Sequence, residues 1–159
     1  MQILIIAVGK IKEKYLKEGI AEYQKRLRPY VKLNILEIAE DKRTTHLSPS
    51  QEILVKDGEG VHILAAIPPG SFVAALDAGG LCWSSEKLAE SIRQWEIAGN
   101  NQITFLIGGD LGFSPAVLAE SDLRLSLSQM TFTHHMVRLI LLEQVYRACK
   151  INHKEPYHR

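Results

Sequence analysis

The sequence predicts a single α/β domain spanning residues 1–159: a mostly parallel sheet of about five strands with helices on both faces. Three observations carry this. Short apolar runs alternate with longer stretches whose apolar residues recur at helical spacing, the pattern of strand–helix units. The first run, Gln2 to Val8, is continuously apolar, as expected of a strand covered on both faces. The chain of 159 residues, 46% hydrophobic and 23% charged, is long enough for one buried core and not comfortably for two.

The elements follow in order. After the strand at Gln2 to Val8, the stretch Glu13 to Leu27 places Tyr15, Leu16, Ile20, Tyr23 and Leu27 close to helical spacing. Lys32 to Ile38 reads as a second strand. Ser48-Pro49-Ser50-Gln51 is a helix start, because Ser caps, Pro suits the first turn and Gln closes a capping box. That helix runs to the mid-60s, across Gly58 and Gly60. Pro68-Pro69-Gly70 then turns the chain into a third strand, Ser71 to Leu76. Ser84 opens a helix to about Ala98, and Gln102 to Ile107 is a fourth strand. Ser114-Pro115 caps another helix, Arg124 to Leu127 is a short fifth strand, and Met136 to Lys150 is a long helix with an apolar face. Ile151 to Arg159 is a basic tail. No internal repeat, linker or low-complexity segment interrupts the series.

Several classes are excluded. Cys82 and Cys149 are too few and too isolated for a disulfide scaffold, and they suit a reducing compartment. The N-terminus lacks the basic region and cleavage site of a signal peptide, and its apolar run is too short to span a bilayer. The uncharged stretch Val61 to Leu76 is broken by Pro68, Pro69 and Gly70. The expected location is the cytoplasm, with no membrane partner. Net charge is +1, yet it is uneven: Lys10 to Lys32 holds eight Lys/Arg against three Glu, and His134 to Arg159 holds five against two, with four of the six histidines. Such patches hold phosphates even on a near-neutral protein, although solvated helix faces account equally well for the first.

Ligands of parallel sheets bind beyond the carboxyl ends of the strands. Three segments qualify: Leu76-Asp77-Ala78-Gly79-Gly80, the loop Gly108-Gly109-Asp110-Leu111-Gly112, and Leu127 to Phe132. Glycines there let a ligand approach the backbone, whose free N–H and C=O groups can read an adenine edge. The glycine loop is neither a Walker motif nor a G-x-G-x-x-G turn, so composition supports a nucleotide-like ligand and nothing narrower. His134 and His135 precede the last helix with Arg138 a turn further on. Their spacing to Cys149 and His153 matches no zinc signature, and no metal is expected. The terminal Pro156-Tyr157-His158-Arg159 joins an aromatic ring to two potential cations, suited to stacking on a base and gripping phosphate. A frayed terminus is the plain alternative.

These residues also carry a resemblance. The opening IIAVGKIKEKYLKEGIAEYQKRL, then ALDAGG and FLIGGDLGFSP, and above all LSLSQMTFTHHMVRLILLEQVYRA with the closing PYHR, cover nearly the whole chain. They resemble the RlmH family, the pseudouridine N3-methyltransferases of large-subunit ribosomal RNA in the SPOUT superfamily. The resemblance implies a C-terminal deep trefoil knot, a homodimer, and S-adenosylmethionine as methyl donor held by Leu76, Gly108 and Leu127, Ser128, Gln129, Met130, Thr131 and Phe132. It implies that His134, Arg138, Tyr157, His158 and Arg159 face the RNA, that the substrate is 23S rRNA in assembled ribosomes, and that His134 or His158 accepts the acceptor nitrogen's proton. The family loop commonly reads GGPEG where this chain has Gly108-Gly109-Asp110-Leu111-Gly112. The common PHPLVR is here Thr133-His134-His135-Met136-Val137-Arg138. The alternatives are a SPOUT methyltransferase of another RNA site, or a non-catalytic nucleotide-binding module docking on ribosomes.

Overall fold

The computed structural model describes residues 1–159. Five strands, β1 (Gln2–Val8), β2 (Lys32–Ile38), β3 (Phe72–Cys82), β4 (Gln102–Ile107) and β5 (Leu123–Ser126), form one sheet in the order β2-β1-β4-β3-β5. Every neighbouring pair is parallel. The helices are α1 (Lys14–Leu27), α2 (Pro49–Ala66), α3 (Ser85–Ile97), α4 (Pro115–Ala119) and α5 (His134–Asn152).

β1 shows why the sheet is covered twice. Its alternate residues Ile3, Ile5 and Ala7 pack with Leu16 and Ile20 of α1, Leu88 and Ile92 of α3, and Leu141 and Val145 of α5. Ile6 and Val8 point the other way, against Ile63 of α2 and Val117 of α4. Side chains alternate in a strand, so a run apolar at both parities must be buried on both faces. Each such Ile or Leu contributes roughly 1.5–3 kcal/mol on full burial.

The expected caps form. Ser48 accepts from the Gln51 backbone N–H while the Gln51 side chain accepts from Ser48 N–H, closing the box, and α2 continues unbroken past Gly58 and Gly60. Ser84 and Ser114 cap α3 and α4. The last helix begins two residues before Met136, where the Thr133 hydroxyl accepts the Met136 N–H, and it extends to Asn152.

The third strand departs most from expectation. It continues past Leu76 to Cys82, with a register shift against β5 between Leu76 and Leu81. Asp77-Ala78-Gly79-Gly80 is therefore strand, not loop. Two contacts hold it: Arg124 of β5 donates from Nε and Nη2 to Asp77 Oδ2 at 3.0 and 2.5 Å, and Gly80 lies directly on the Arg124 backbone. A Cβ on Gly80 would sit 2.6 Å from the Arg124 carbonyl.

Gly80→Ala should accordingly lower stability by about 1–3 kcal/mol, the usual cost of overpacking. Gly79→Ala should cost far less, because its Cβ would meet only the side-chain ends of Arg124 and Asp77, at 3.4 and 3.5 Å. Urea denaturation of the two variants checks the difference.

Candidate active site

Parallel pairing sets the carboxyl ends of β4, β3 and β5 side by side, and the segments leaving them enclose a cavity of about 920 Å³. Leu76, Gly108, Leu127, Ser128, Met130, Thr131 and Phe132 line it, as does His134. Gln129 does not. The whole glycine loop Gly108–Gly112 forms one wall, and Glu13, Tyr15 and Leu16 approach from the start of α1.

The segment after β5 is shaped by its hydroxyls. Ser126 Oγ donates to the Ser128 carbonyl at 2.8 Å, and Ser128 Oγ accepts the Met130 N–H at 2.9 Å. This turn leaves Met130 77% exposed and Phe132 39% exposed, an apolar lip on the cavity. On the opposite wall, Asp110 of the glycine loop pairs with Arg43 from the loop after β2. Behind it stands Glu59 of α2, 3% exposed, with Oε1 accepting the Asp41 N–H at 3.3 Å and Oε2 facing Gly109. Burial holds the Glu59 carboxyl above its ordinary range, with Asp41 N–H and Arg43 opposing.

His134 opens α5 at the cavity rim. Its Nε2 lies 3.2 Å from Glu40 Oε1, and since a carboxylate can only accept, Nε2 carries the proton. Desolvation and the neighbouring His135 lower its pKa, with Glu40 and Asp110 working against them, so His134 is neutral at neutral pH. Glu40, His134 and His135 each offer a donor atom, all within 4.8 Å of one another. The positive end of the α5 dipole and the Arg138 guanidinium one turn on disfavour a cation there.

Arg138 is placed differently from the expectation that it faces RNA. It is 1% exposed, donating from Nη1 to Glu37 Oε1 at 2.6 Å and from Nη2 to the Gly9 carbonyl at 3.0 Å. It clamps the start of α5 to the ends of β2 and β1. The terminal residues also lie outside the cavity of a single chain. Tyr157 packs edge-on to Tyr146, its hydroxyl donating to Glu143 Oε1 at 3.1 Å and lying 3.3 Å from the Tyr23 hydroxyl. Burial and these contacts push its pKa up. His158 Nε2 donates to Glu86 Oε1 at 2.7 Å, and its Nδ1 lies 3.3 Å from Arg147 Nη1. Glu143 is about 13 Å along α5 from His134 at ~1.5 Å per residue, so Tyr157 and His134 do not meet within one chain. The terminus is docked, not frayed, and exposed Arg159 ends it.

Sequence reasoning missed Glu40, Arg43 and Glu59. Only Glu59 left a signal: it stands with Val55 and Ile63 on the buried stripe of α2, where a carboxylate is out of place.

Comparison with known proteins shows the family. The family model described as "Predicted SPOUT methyltransferase" matches residues 1–158, and the chain belongs to that family. Ribosomal RNA large subunit methyltransferase H of Carboxydothermus hydrogenoformans is 52% identical over 159 residues, and its namesake in Clostridioides difficile is 51% identical. Both alignments cover all of each chain. At that identity over its full length the chain is an rRNA methyltransferase of the H type. The fold is shared with the structure of "a probable methylase family protein from Haemophilus influenzae Rd KW20", at TM-score 0.50 and 12% identity, over 99% of this chain and 70% of that one. No helix is long and apolar enough to cross a membrane.

The raised carboxyl of Glu59 gives a signed prediction. An acid whose folded pKa lies above its unfolded value costs stability as pH rises through the unfolded value, and the cost is complete above the folded one. Glu59→Gln should therefore gain on the parent protein between pH 4 and 7, read as a growing difference in urea midpoint. A constant difference across that range would contradict the assignment.

Proposed function

We propose that the protein transfers a methyl group from S-adenosylmethionine to N3 of a pseudouridine in 23S rRNA of assembled ribosomes. The single observation that carries this reading is a nucleoside-sized cavity at the strand ends with a neutral histidine at its rim. The residues fit the donor: Gly108 and, of the segment after β5, Leu127, Ser128, Met130, Thr131 and Phe132 line the cavity where an adenosine would lie, while Leu76 supplies an apolar floor. When bound, S-adenosylmethionine supplies an electrophilic methyl group on a sulfonium.

The chain's own residues do the rest. The cavity aligns donor and acceptor, an effect that reaches up to ~7–11 kcal/mol in favourable systems. His134 takes the N3 proton of the base, and it is preferred to His158 because it already lines the cavity. Arg138 acts from beneath, holding the start of α5 and hence His134, with its Nε still unpartnered.

Tyr157, His158 and Arg159 reach a cavity as the second subunit of a homodimer, stacking on the base and holding phosphate. The C-terminal segment is read as threaded in a deep trefoil knot. The setting is the cytoplasm, with ribosomes supplying much of the substrate's positioning.

The test is incorporation of labelled methyl from S-adenosylmethionine into assembled ribosomes lacking the modification, with free rRNA and tRNA alongside. Label confined to N3 of a pseudouridine in the large-subunit rRNA of ribosomes supports the reading. Label in tRNA or free RNA moves the substrate elsewhere, and no label with donor still bound makes the protein a non-catalytic module. Deleting Tyr157 to Arg159 should abolish incorporation while leaving donor affinity within about twofold; loss of donor binding as well would make the tail part of the fold.

A further inference from the structure

Three elements converge on one carboxylate. β1 is followed by Gly9, whose φ of +88° is open to glycine at low cost, and whose missing Cβ would lie 2.7 Å from Glu40 Oε1 and 3.3 Å from His134 Nε2. The Gly9 N–H bonds the Ile38 carbonyl at 2.8 Å, holding the end of β2 beside it. One residue past Glu40, the Asp41 N–H is tied to buried Glu59, and two further on Arg43 is tied to Asp110 of the cavity wall. Glu40 is thus a side chain on a loop pinned from both sides, set at 3.2 Å from the rim histidine.

We propose that Glu40 is a positioning residue for methyl transfer, fixing His134 as the Nε2–H tautomer so that Nδ1 is the atom that accepts the substrate's proton. The histidine alone exchanges between two neutral tautomers and can turn about its side-chain bonds; a carboxylate on Nε2 restricts both freedoms. Nδ1 has no hydrogen-bond partner in the chain and belongs to a residue lining the cavity. In the step, the N–H bond at N3 of the base breaks and an N–H bond forms at Nδ1, with the electron pair remaining on N3 for the bond to the methyl carbon, whose bond to the donor sulfur breaks with that pair leaving on sulfur as the neutral thioether. The resulting imidazolium keeps its Nε2–H on Glu40, whose charge stabilises it, and later releases the Nδ1 proton to water.

This inference rests on the proposed role of His134, and the experiment separates the two. Methyl incorporation and S-adenosylmethionine affinity are measured for the full chain and for Glu40→Ala, Glu40→Asp and His134→Asn, together with the imidazole nitrogen resonances of the labelled protein. Glu40→Ala should lower kcat by about 10–100-fold, the range of lost carboxylate partners of histidine. Donor affinity and Tm should hold, the His134 ring should pass from the Nε2–H form to a mixture, and Glu40→Asp should recover part of the rate. An active His134→Asn would overturn the role of His134 itself. An inactive His134→Asn beside a fully active Glu40→Ala, or a Glu40→Ala whose loss lies in donor affinity, would overturn the inference alone.

Discussion

In a parallel sheet every strand ends on the same side, and that constraint organises this molecule. Register runs from Gln2 opposite both Lys32 and Gln102 to Leu76 opposite Ile107, so β1 and β4 end nearly level with Leu76, while β3 itself runs on to Cys82. Each following segment must turn back over that edge to reach its helix. The glycine loop after β4 and the Ser-rich turn after β5 therefore face each other without any dedicated contact between them. The cavity is a consequence of pairing, and Leu76, Asp77 and Ala78 of β3 contribute to its lining.

The chemistry of the rim depends on how α5 is seated. A helix beginning at His134 projects unpaired N–H groups and a partial positive charge at the cavity. Its start is held by a buried guanidinium with two oxygen partners, from Glu37 and Gly9. Such charge-assisted bonds are strong where water is excluded, and removing either partner leaves a costly group behind. Arg138 thereby couples the ends of β1 and β2 to the position of His134. Burial first, and then the neighbouring His135, lower the His134 pKa and so favour the neutral imidazole, the form a proton acceptor needs.

How much was legible in the sequence follows from what each feature depends on. β1, β2 and β4 were readable to the residue because short apolar-rich runs need only local information. Ser48, Ser84 and Ser114 were readable because a cap acts over three residues. The strand from Asp77 to Cys82 was not, since Gly79 and Gly80 look like a turn until Arg124 is seen to hold them. The burial of Arg138 was equally hidden, because Glu37 and Gly9 lie far away along the chain. For the site, the three cavity-lining segments were legible as strand ends, with Gly79, Gly80 and Gln129 outside the cavity. The tail was named for chemistry but not for place: Tyr157 and His158 sit against α5 and α3, outside the cavity, because Glu143 and Glu86 that hold them lie far away along the chain.

The central claim is that the segments after β3, β4 and β5 act as one site for the methyl donor. Backbone amide hydrogen exchange with and without S-adenosylmethionine tests it most directly. The account predicts added protection confined to residues 76–78, 108–112 and 127–133, where N–H groups face the cavity. Protection centred elsewhere, for instance at the basic surface of residues 28–33, or none at saturating donor, would contradict it.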